Sequence, residues 1–250
     1  MARAGAELIR ADWPAPARVQ AVATTRHGGV SGGPYASLNL GEHVGDDPSA
    51  VRQNRELLRA DLVLPSEPVW LRQVHGTVVV EARAAMAAVT ADASWTRETG
   101  VVCAVLTADC LPVVFCNAPG THVAVAHAGW RGLSGGVLEA TVAALVEAGA
   151  SADSLRAWLG PAIGPASYEV GADVRDAFLR ADPAAEATFH VHRPGHWRLD
   201  LYAAARLRLR RAGVTTVSGG DHCTLAEPAQ FFSHRRDRVT GRQATLVWLT

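Results

Sequence analysis

The sequence predicts an α+β fold, in which mixed β-sheets are flanked by helices. Short apolar runs typical of buried strands occur along the chain, and helical patterns lie between them without the strict strand–helix–strand alternation of a parallel α/β protein. The 250 residues contain no repeat, no low-complexity tract and no long linker. We therefore expect residues 1–250 to form a single domain.

The first predicted helix begins after Asp47-Pro48, because aspartate caps helix N-termini and proline suits the first helical turn. It runs to about Ala60. Four residues at i, i+3, i+4 and i+7 spacing share the face that should contact the core: Val51, Asn54, Arg55 and Leu58. Arg55 therefore lies on an otherwise core-facing stripe, where its stem could also extend along the edge toward solvent.

The remaining elements are placed by apolar runs and their boundary residues. Strands are predicted at residues 69–73, 77–81, 101–106, 111–115, 121–126 and 244–249. A second helix spans 135–147 and stops before Gly149, and a third is capped by Asp200 and ends at Gly213. Three basic residues near the end of this third helix suit its dipole: Arg208, Arg210 and Arg211.

Composition argues against several function classes. Basic and acidic residues number 24 each, so no global charge predicts binding to nucleic acid or to an anionic membrane. No apolar run is long enough to span a bilayer, and the N-terminal residues lack a secretory signal pattern. Four cysteines are too few for a disulfide scaffold, which favours a reducing cytoplasm.

All the basic residues are arginines. The absence of lysine excludes a Schiff-base lysine, a P-loop lysine and a lysine general base. An anion site must then use arginine or backbone N–H groups, and arginine suits bidentate contacts with phosphate. The glycine pairs at 28–29 and 32–33, close to Arg26 and His27, could wrap an anion or simply form turns.

The densest cluster of reactive residue types lies between His75 and Arg131. It consists of three segments: Q-V-H-G at 73–76, T-A-D-C-L-P at 107–112 and H-A-G-W-R-G at 127–132. Each segment places a metal-ligand residue type at a predicted strand end, beside glycine or proline. Two imidazoles and one thiolate, from His75, His127 and Cys110, would suit Zn²⁺ with an open fourth position, although their spacing is too long for a zinc finger.

Each member of this cluster also has a purely structural interpretation. A lone cysteine beside an apolar strand is usually packed, and a lone histidine at a strand end is usually hydrogen-bonded. Asp109 could orient a neighbouring group, transfer a proton or simply occupy a turn. His122 lies five residues before His127, so the two side chains should point to opposite faces of a strand. We therefore assign His127 to the site and His122 to a structural or surface role.

The other cysteines carry weaker signals. Cys103 and Cys116 lie within apolar runs and are predicted to be core residues. Cys223 follows His222 and could form a second reactive pair. The motifs of the cytidine-deaminase zinc site, the zincins, the α/β-hydrolases and the dinucleotide-binding folds are absent from the sequence.

Motifs along nearly the whole chain carry a resemblance to a known family. They are T-T-R-H-G-G-V-S at 24–31, S-L-N-L-G-E-H-V-G-D-D at 37–47, N-R at 54–55, L-R-Q-V-H-G at 71–76, A-D-A at 91–93, L-T-A-D-C-L-P at 106–112, H-A-G-W-R-G at 127–132, G-P-A-I-G-P at 160–165, Y-E-V at 168–170 and F-F-S-H-R-R-D-R-V-T-G-R at 231–242. The chain resembles the YfiH/laccase-domain family, whose members are also called polyphenol oxidases, peptidoglycan editing factors or purine nucleoside phosphorylases.

The resemblance implies that His75, Cys110 and His127 match the family's metal ligands, with zinc the usual metal and copper claimed under the older oxidase name. The implied activity is phosphorolysis of adenosine, inosine and S-methyl-5′-thioadenosine, with adenosine deamination as a second activity. The implied fold is α+β with mixed sheets. In one departure, this chain has Ala166-Ser167 where many relatives have cysteine, which weakens any second thiol-based metal site there.

The leading hypothesis is therefore a zinc-dependent purine nucleoside phosphorylase with adenosine deaminase activity, whose partners are purine nucleosides and phosphate. We expect Cys110, His75, His127 and Asp109 to act in catalysis. Phosphate needs cationic residues around it, and without lysine these must be arginines. Arg55 is the first candidate because it lies on the apolar stripe and in a family motif. Further candidates are Arg26, Arg131 and Arg235.

Three alternatives use other chemistry. Cys110 could be a thiolate nucleophile with His75 or His127 as base, as in a cysteine hydrolase. The protein could instead edit peptidoglycan precursors. A multicopper polyphenol oxidase is less favoured, because such enzymes need many H-x-H pairs and the sequence has one, at His190 and His192. The sequence does not define an oligomeric state.

Overall fold

The computed structural model describes residues 5–250, and within them the predicted α+β class is confirmed. The strands are β1 Leu8–Arg10, β2 Val19–Thr24, β3 Val79–Glu81, β4 Ala93–Thr96, β5 Val102–Thr107, β6 Leu111–Asn117, β7 Val123–Ala128, β8 Leu155–Leu159, β9 Glu169–Gly171, β10 Phe189–Arg193, β11 His196–Leu199, β12 Thr216–Gly219 and β13 Gln243–Leu249. The α-helices are α1 Pro48–Leu62, α2 Trp130–Gly135, α3 Val137–Glu147, α4 Ala172–Ala181, α5 Leu201–Arg211 and α6 His234–Asp237.

The strands form three sheets among the described residues. A six-stranded sheet has the order β12-β8-β6-β7-β4-β3. It is mixed, because β12 is parallel to β8 and β3 is parallel to β4, whereas the other pairs are antiparallel. A four-stranded antiparallel sheet has the order β1-β2-β13-β5, and a smaller sheet has the order β10-β11-β9.

The two large sheets lie face to face, with helices on their outer faces. On β6, Phe115 faces a core shared with α3, α4 and α5, whereas Val114 faces the four-stranded sheet. On β13, Val247 lies in the core between the sheets, and Leu246 points to the far side, where Leu58 of α1 covers it. This alternation is the period-2 pattern of strands buried on both faces, and it gives a helix–sheet–sheet–helix arrangement.

The first helix matches its prediction closely. Asp47 caps it by accepting a hydrogen bond from the backbone N–H of Ser49, and Pro48 is its first residue. The helix extends two residues beyond Ala60, to Leu62. Val51, Asn54 and Leu58 are buried on one face, as the spacing predicts.

The predicted strand at 69–73 is wrong. This segment makes only isolated bridges, from Val69 to Cys103 and from Arg72 to Thr90. The side-chain amide of Gln73 donates to the carbonyl of Leu106 and accepts from its N–H, both at 2.8 Å. The Gln73 side chain therefore makes the two hydrogen bonds to β5 that the backbone of a neighbouring strand would otherwise make.

Other boundaries shift. The predicted helix 135–147 begins earlier, at Trp130, and is divided at Gly136, whose φ of 101° breaks it into α2 and α3. The strand predicted at 121–126 lies at 123–128, so His127 is inside β7 rather than beyond its end. The strand predicted at 77–81 is shortened to β3. No described helix is long and apolar enough to cross a bilayer.

Candidate active site

Three segments bring the predicted ligands together at one end of the two large sheets. His75 lies in the turn that precedes β3, Cys110 immediately precedes β6, and His127 is the penultimate residue of β7. Their ligand atoms all lie within 4.8 Å of one another. His75 Nε2 is 3.7 Å from Cys110 Sγ, and the two imidazole rings meet edge to face with centroids 4.7 Å apart. The structure thus brings these three residues together.

Gly129 keeps the space between these ligands open. A Cβ atom at this position would lie 2.8 Å from His75 Cδ2 and 2.9 Å from Cys110 Sγ. Its φ of −62° is accessible to any residue, so the requirement for glycine is steric. Two imidazoles and one thiolate within this distance fit a transition-metal ion such as zinc.

Asp92 lies beneath the cluster and contacts two of the segments. Its Oδ1 is 2.9 Å from both the backbone N of His75 and Nδ1 of His127. Its Oδ2 accepts hydrogen bonds from the backbone N–H of Val74 and of Gly76, at 3.2 and 2.6 Å. The residue is fully buried. Burial alone would raise the pKa of this carboxyl, but the hydrogen bonds from His127 and the backbone outweigh it and lower the pKa.

The cluster is electrostatically coupled. Burial alone would raise the pKa of the Cys110 thiol, but the charge and hydrogen bonds of His127 and His75 lower it to about 6. Burial alone would lower the pKa of His127, but Cys110 and Asp92 raise it to about 9. The metal-free site therefore favours a thiolate beside an imidazolium.

Asp109 holds neighbouring segments in place through both carboxylate oxygens. Oδ1 accepts a 2.7 Å hydrogen bond from the Thr224 hydroxyl, and Oδ2 accepts a 2.6 Å bond from the backbone N–H of Arg235. Its own backbone has a φ of 86°, and its carbonyl accepts from Ile163. These contacts favour the orienting interpretation of Asp109.

The arginines predicted to bind phosphate differ in how many of their guanidinium N–H groups are already hydrogen-bonded to the protein. Arg55 donates from Nε and Nη2 to the Leu40 carbonyl, pairs with Glu42 at 3.1 Å and stacks on Trp70 at 4.3 Å. Arg26 donates to two backbone carbonyls and stacks on Phe232. Much of the hydrogen-bonding capacity of both guanidinium groups is thus already used.

Arg131 and Arg235 are exposed and lie next to aromatic rings of the site. Arg131 stacks on Trp130 at 4.5 Å, and Arg235 stacks on Tyr168 at 5.1 Å while donating to the Glu169 carbonyl. A cavity of about 40 Å³ beside Cys110 is lined by Asp109, Cys110, Trp130, Ile163, Tyr168 and Leu201. It has room for water molecules but not for a nucleoside.

A sequence model of the family described as multi-copper polyphenol oxidoreductase laccase matches residues 20–250. The chain belongs to this family. The resemblance inferred from the motifs is thereby confirmed, and the matched region contains every residue of the site described above.

Relatives within the family agree over almost the full length of the chain. A Pseudomonas aeruginosa protein named a purine nucleoside phosphorylase is 55% identical over 239 residues, covering 95% of this chain and 96% of the relative. The Escherichia coli purine nucleoside phosphorylase YfiH is 52% identical, with coverage of 97% and 99%. The crystal structure of a Neisseria meningitidis protein superimposes with a TM-score of 0.93 at 53% identity, with coverage of 97% and 98%.

His122, Cys103 and Cys116 lie outside the cluster. His122 immediately precedes β7 and points away from His127, toward α3, where its ring nitrogen lies 3.1 Å from the Ala148 carbonyl and its ring stacks on Trp95. Cys103 and Cys116 are buried, and burial raises the pKa of each thiol to about 12.

The second histidine–cysteine pair is not arranged for mutual activation. His222 Nδ1 is 2.9 Å from a carboxylate oxygen of Glu227, whereas Cys223 Sγ contacts the Ser167 hydroxyl at 3.4 Å and the backbone N of Gly164 at 3.2 Å. Within residues 5–250, the one group of histidine, cysteine and acidic side chains close enough to hold a metal is the His75–Cys110–His127 cluster.

Four residues near the site were not singled out from the sequence. Asp92 is hydrogen-bonded to His75 and His127, and Tyr168 stacks with Arg235. Burial lowers the pKa of the Arg242 guanidinium, although the charges of Cys110 and Asp109 act to raise it. Burial and the charges of Arg242 and Arg55 lower the pKa of His43. Each lies in a motif that carried the resemblance, so the signal was present, but no local pattern distinguished it from neighbouring motif residues.

Proposed function

We propose that this protein is a zinc-dependent purine nucleoside phosphorylase that acts on adenosine, inosine and S-methyl-5′-thioadenosine. The observation that carries the proposal is the convergence of His75, Cys110 and His127, in a chain at least 52% identical to two relatives named purine nucleoside phosphorylases. We propose adenosine deamination as a second activity of the same site.

The proposed metal ligands are His75, Cys110 and His127. A zinc ion held by them would supply a Lewis acid with one open coordination position. We prefer zinc over the copper of a multicopper oxidase because His190 and His192, the one H-x-H pair in the sequence, lie on β10 rather than in the cluster.

Phosphorolysis breaks the bond between the purine and the ribose anomeric carbon while a phosphate oxygen bonds to that carbon. Phosphate needs cationic donors at this position, and arginine can supply two parallel hydrogen bonds. Arg131 and Arg235 are the candidates with exposed guanidinium groups next to Trp130 and Tyr168. Arg55 and Arg26 remain candidates that would first have to release protein partners.

The substrate would bind on the open side of the cluster, because the cavity beside Cys110 is too small for a nucleoside. Asp109 would hold Arg235 near the neighbouring Cys110, because its carboxylate accepts a hydrogen bond from the Arg235 backbone N–H.

The proposal is tested by incubating the zinc-loaded protein with each nucleoside in the presence and absence of phosphate. We expect free base and the matching sugar 1-phosphate to form only when phosphate is present: ribose 1-phosphate from adenosine and inosine, and 5-methylthioribose 1-phosphate from S-methyl-5′-thioadenosine. Cys110→Ala should abolish this reaction, whereas His122→Ala, which removes a buried imidazole elsewhere, should retain it. Base release that does not depend on phosphate would contradict the proposal.

Deamination is tested separately, because it consumes water and needs no phosphate. We expect adenosine to yield inosine and ammonia in phosphate-free buffer, with loss of this activity in Cys110→Ala. Phosphorolysis without any ammonia release would remove the deaminase from the proposal and leave the phosphorylase intact.

A second candidate is a cysteine hydrolase or peptidoglycan-precursor editing enzyme that uses Cys110 as a nucleophile. It is favoured by the 3.7 Å contact between Cys110 Sγ and His75 Nε2, and by the neighbouring histidines, which lower the pKa of this thiol to about 6 in the metal-free site. Chelation separates the two candidates: a thiolate nucleophile would keep its activity without metal and lose it on alkylation, whereas the phosphorylase would lose activity on chelation.

We also propose that residues 1–250 act as one domain in a reducing cytoplasm. β5 and β13 contribute side chains to both the core between the large sheets and the core under α1, which joins these layers into one unit. All four cysteines are unpaired, as expected in a reducing compartment.

A further inference from the structure

Asp92 is connected to the ligand cluster more extensively than its position in the sequence suggests. Beyond the four contacts of its carboxylate, its backbone carbonyl accepts a 2.7 Å hydrogen bond from the N–H of His127. Asp92 thus holds His127 by both main chain and side chain. It lies next to β4, which pairs with β7 in the six-stranded sheet, so these contacts follow from the strand register.

The contact with His127 selects one nitrogen of the ring. An ionised carboxylate only accepts hydrogen bonds, so the 2.9 Å contact places a proton on Nδ1. Nε2 is then the nitrogen that can bind a metal, once its own proton is released. Because the ring is fixed at Nδ1, its Nε2 is directed toward Cys110 and His75 rather than free to rotate away.

The contacts with the 74–76 turn fix the other histidine through its backbone. His75 has a φ of 60°, in the left-handed region, and the N–H groups of residues 74, 75 and 76 converge on the Asp92 carboxylate. Such a concave run of N–H groups binds anions. The carboxylate stabilises a backbone conformation that would otherwise be unfavourable, and this conformation presents the His75 ring to the cluster.

We propose that Asp92 is a positioning residue that prepares both histidine ligands for the metal, one through its ring nitrogen and the other through its backbone. The inference rests on the proposed metal site. Asparagine at this position would be isosteric, but one carboxylate oxygen would be replaced by an NH₂ group. In one orientation this NH₂ would face the His127 Nδ1–H and the His75 N–H. In the other it would face the N–H groups of residues 74 and 76. Either orientation sets donor against donor.

The first test measures zinc affinity by competition with a chromophoric chelator on full-length protein stripped of metal. We expect Asp92→Asn to weaken the affinity about 10- to 100-fold, the range typical of lost partners of metal-bound histidines. Asp92→Glu keeps the charge but moves the carboxylate by one methylene, and it should weaken the affinity as well. Wild-type affinity in Asp92→Asn would overturn the inference.

Asp182→Asn is the matched control. Asp182 is also buried, accepts a backbone hydrogen bond from Ala184 and pairs with a cation, Arg211, at 2.6 Å. This variant should lose stability in thermal unfolding yet bind zinc within about twofold of wild type. Equal losses of zinc affinity in Asp92→Asn and Asp182→Asn would indicate a general folding defect and overturn the positioning role.

A second test uses only the wild type, in case the Asp92 variants do not fold. Two-bond proton–nitrogen correlations in the zinc-loaded protein should show His127 protonated at Nδ1 and metal-bound at Nε2, with the signal assigned by its absence in His127→Ala. The reverse arrangement would overturn the inference. A wild type that binds no zinc at all would instead contradict the proposed function, so the two failures are distinguishable.

Discussion

Gly129 has no Cβ atom, and this leaves room for the side chains of His75 and Cys110, two of the three proposed metal ligands. The structure leaves 2.8–2.9 Å between the position of an added Cβ and two of the ligand side chains, which is closer than non-bonded carbon and sulfur atoms approach. We expect Gly129→Ala to push His75 or Cys110 out of place. Zinc content and phosphorolysis should both fall to background.

Gly32→Ala provides the control for Gly129→Ala, because a Cβ at Gly32 meets no atom within 4 Å and its φ of −109° suits alanine. Metal analysis and activity assays on the two variants, side by side, check the prediction. Full zinc occupancy in Gly129→Ala would show that the ligands do not close around one ion.

Arg131 carries the clearest prediction about phosphate. Its guanidinium is exposed, stacks on Trp130 and has no hydrogen bond to another described residue. A charge-assisted hydrogen bond contributes about 1.5–3 kcal/mol. Arg131→Gln should therefore raise KM for phosphate about 10- to 100-fold while changing KM for the nucleoside little.

Arg52→Gln, at an exposed position on α1, is the control for the loss of one positive charge and should leave both KM values unchanged. The same kinetics on Arg55→Gln and Arg235→Gln would rank the other candidates. An equal rise in both KM values for Arg131→Gln would assign this residue to general substrate binding rather than to phosphate.

The sequence alone predicted which three residues would lie together, since each lies in a specific motif and strand parity distinguished His127 from His122. It did not identify Asp92. The role of Asp92 depends on the pairing of the 74–76 turn with the start of β4 and on the register between β4 and β7. Such contacts are non-local, so no pattern within one segment reveals them.

Helix α1 stabilises the loop before it through one buried amide. Asn54 accepts a hydrogen bond from Val30 N–H and donates from Nδ2 to the Ser31 hydroxyl and to the carbonyls of Ser37 and Asn39. Asn54→Ala would leave these buried groups without partners. We expect the free energy of unfolding to fall by about 2–4 kcal/mol, as measured by denaturant titration.

Gln53→Ala is the matched variant one residue earlier, where the side chain is exposed, and it should change stability by less than about 0.5 kcal/mol. Similar effects of the two substitutions would mean that the amide network of Asn54 contributes little.

The sequence predicted that Asn54 faces the core, but the polar loop that it contacts lies 15–24 residues away and could not be inferred from helical spacing.

Elements with strong local signals were predicted best. The cap and proline of α1 and the continuous apolar runs of β5 and β6 were located to within about two residues. The segment at 69–73 failed, because a strand is defined by backbone pairing and there the Gln73 side chain bonds to β5 instead. The elements that were not predicted are β1, β2, β4, β8 to β12, α4 and α6. These strands are only three to six residues long, which leaves little periodicity to recognise.

At the scale of the whole molecule, the proposed metal would join three segments of the fold. The 74–76 turn, the start of β6 and the end of β7 would each supply one ligand. A ligand that binds only the folded state stabilises it, by about 2.7 kcal/mol at a concentration of 100 Kd. We expect chelation to lower the melting temperature of the wild type measurably.

Cys110→Ala should melt at a temperature that does not depend on added zinc or chelator, because the thiolate ligand is absent. Cys223→Ala, which removes a half-buried cysteine outside the cluster, should keep the zinc dependence. Melting curves with and without metal for the three proteins check this prediction, and zinc-dependent melting in Cys110→Ala would place the metal elsewhere.

We propose above that one zinc ion, held by His75, Cys110 and His127, supports phosphorolysis of purine nucleosides. The most direct measurement titrates zinc into chelator-stripped protein while following phosphate-dependent release of hypoxanthine from inosine. We expect activity that rises in proportion to bound zinc and saturates at about one ion per chain. Full activity in the stripped protein, lost only on alkylation of Cys110, would contradict it.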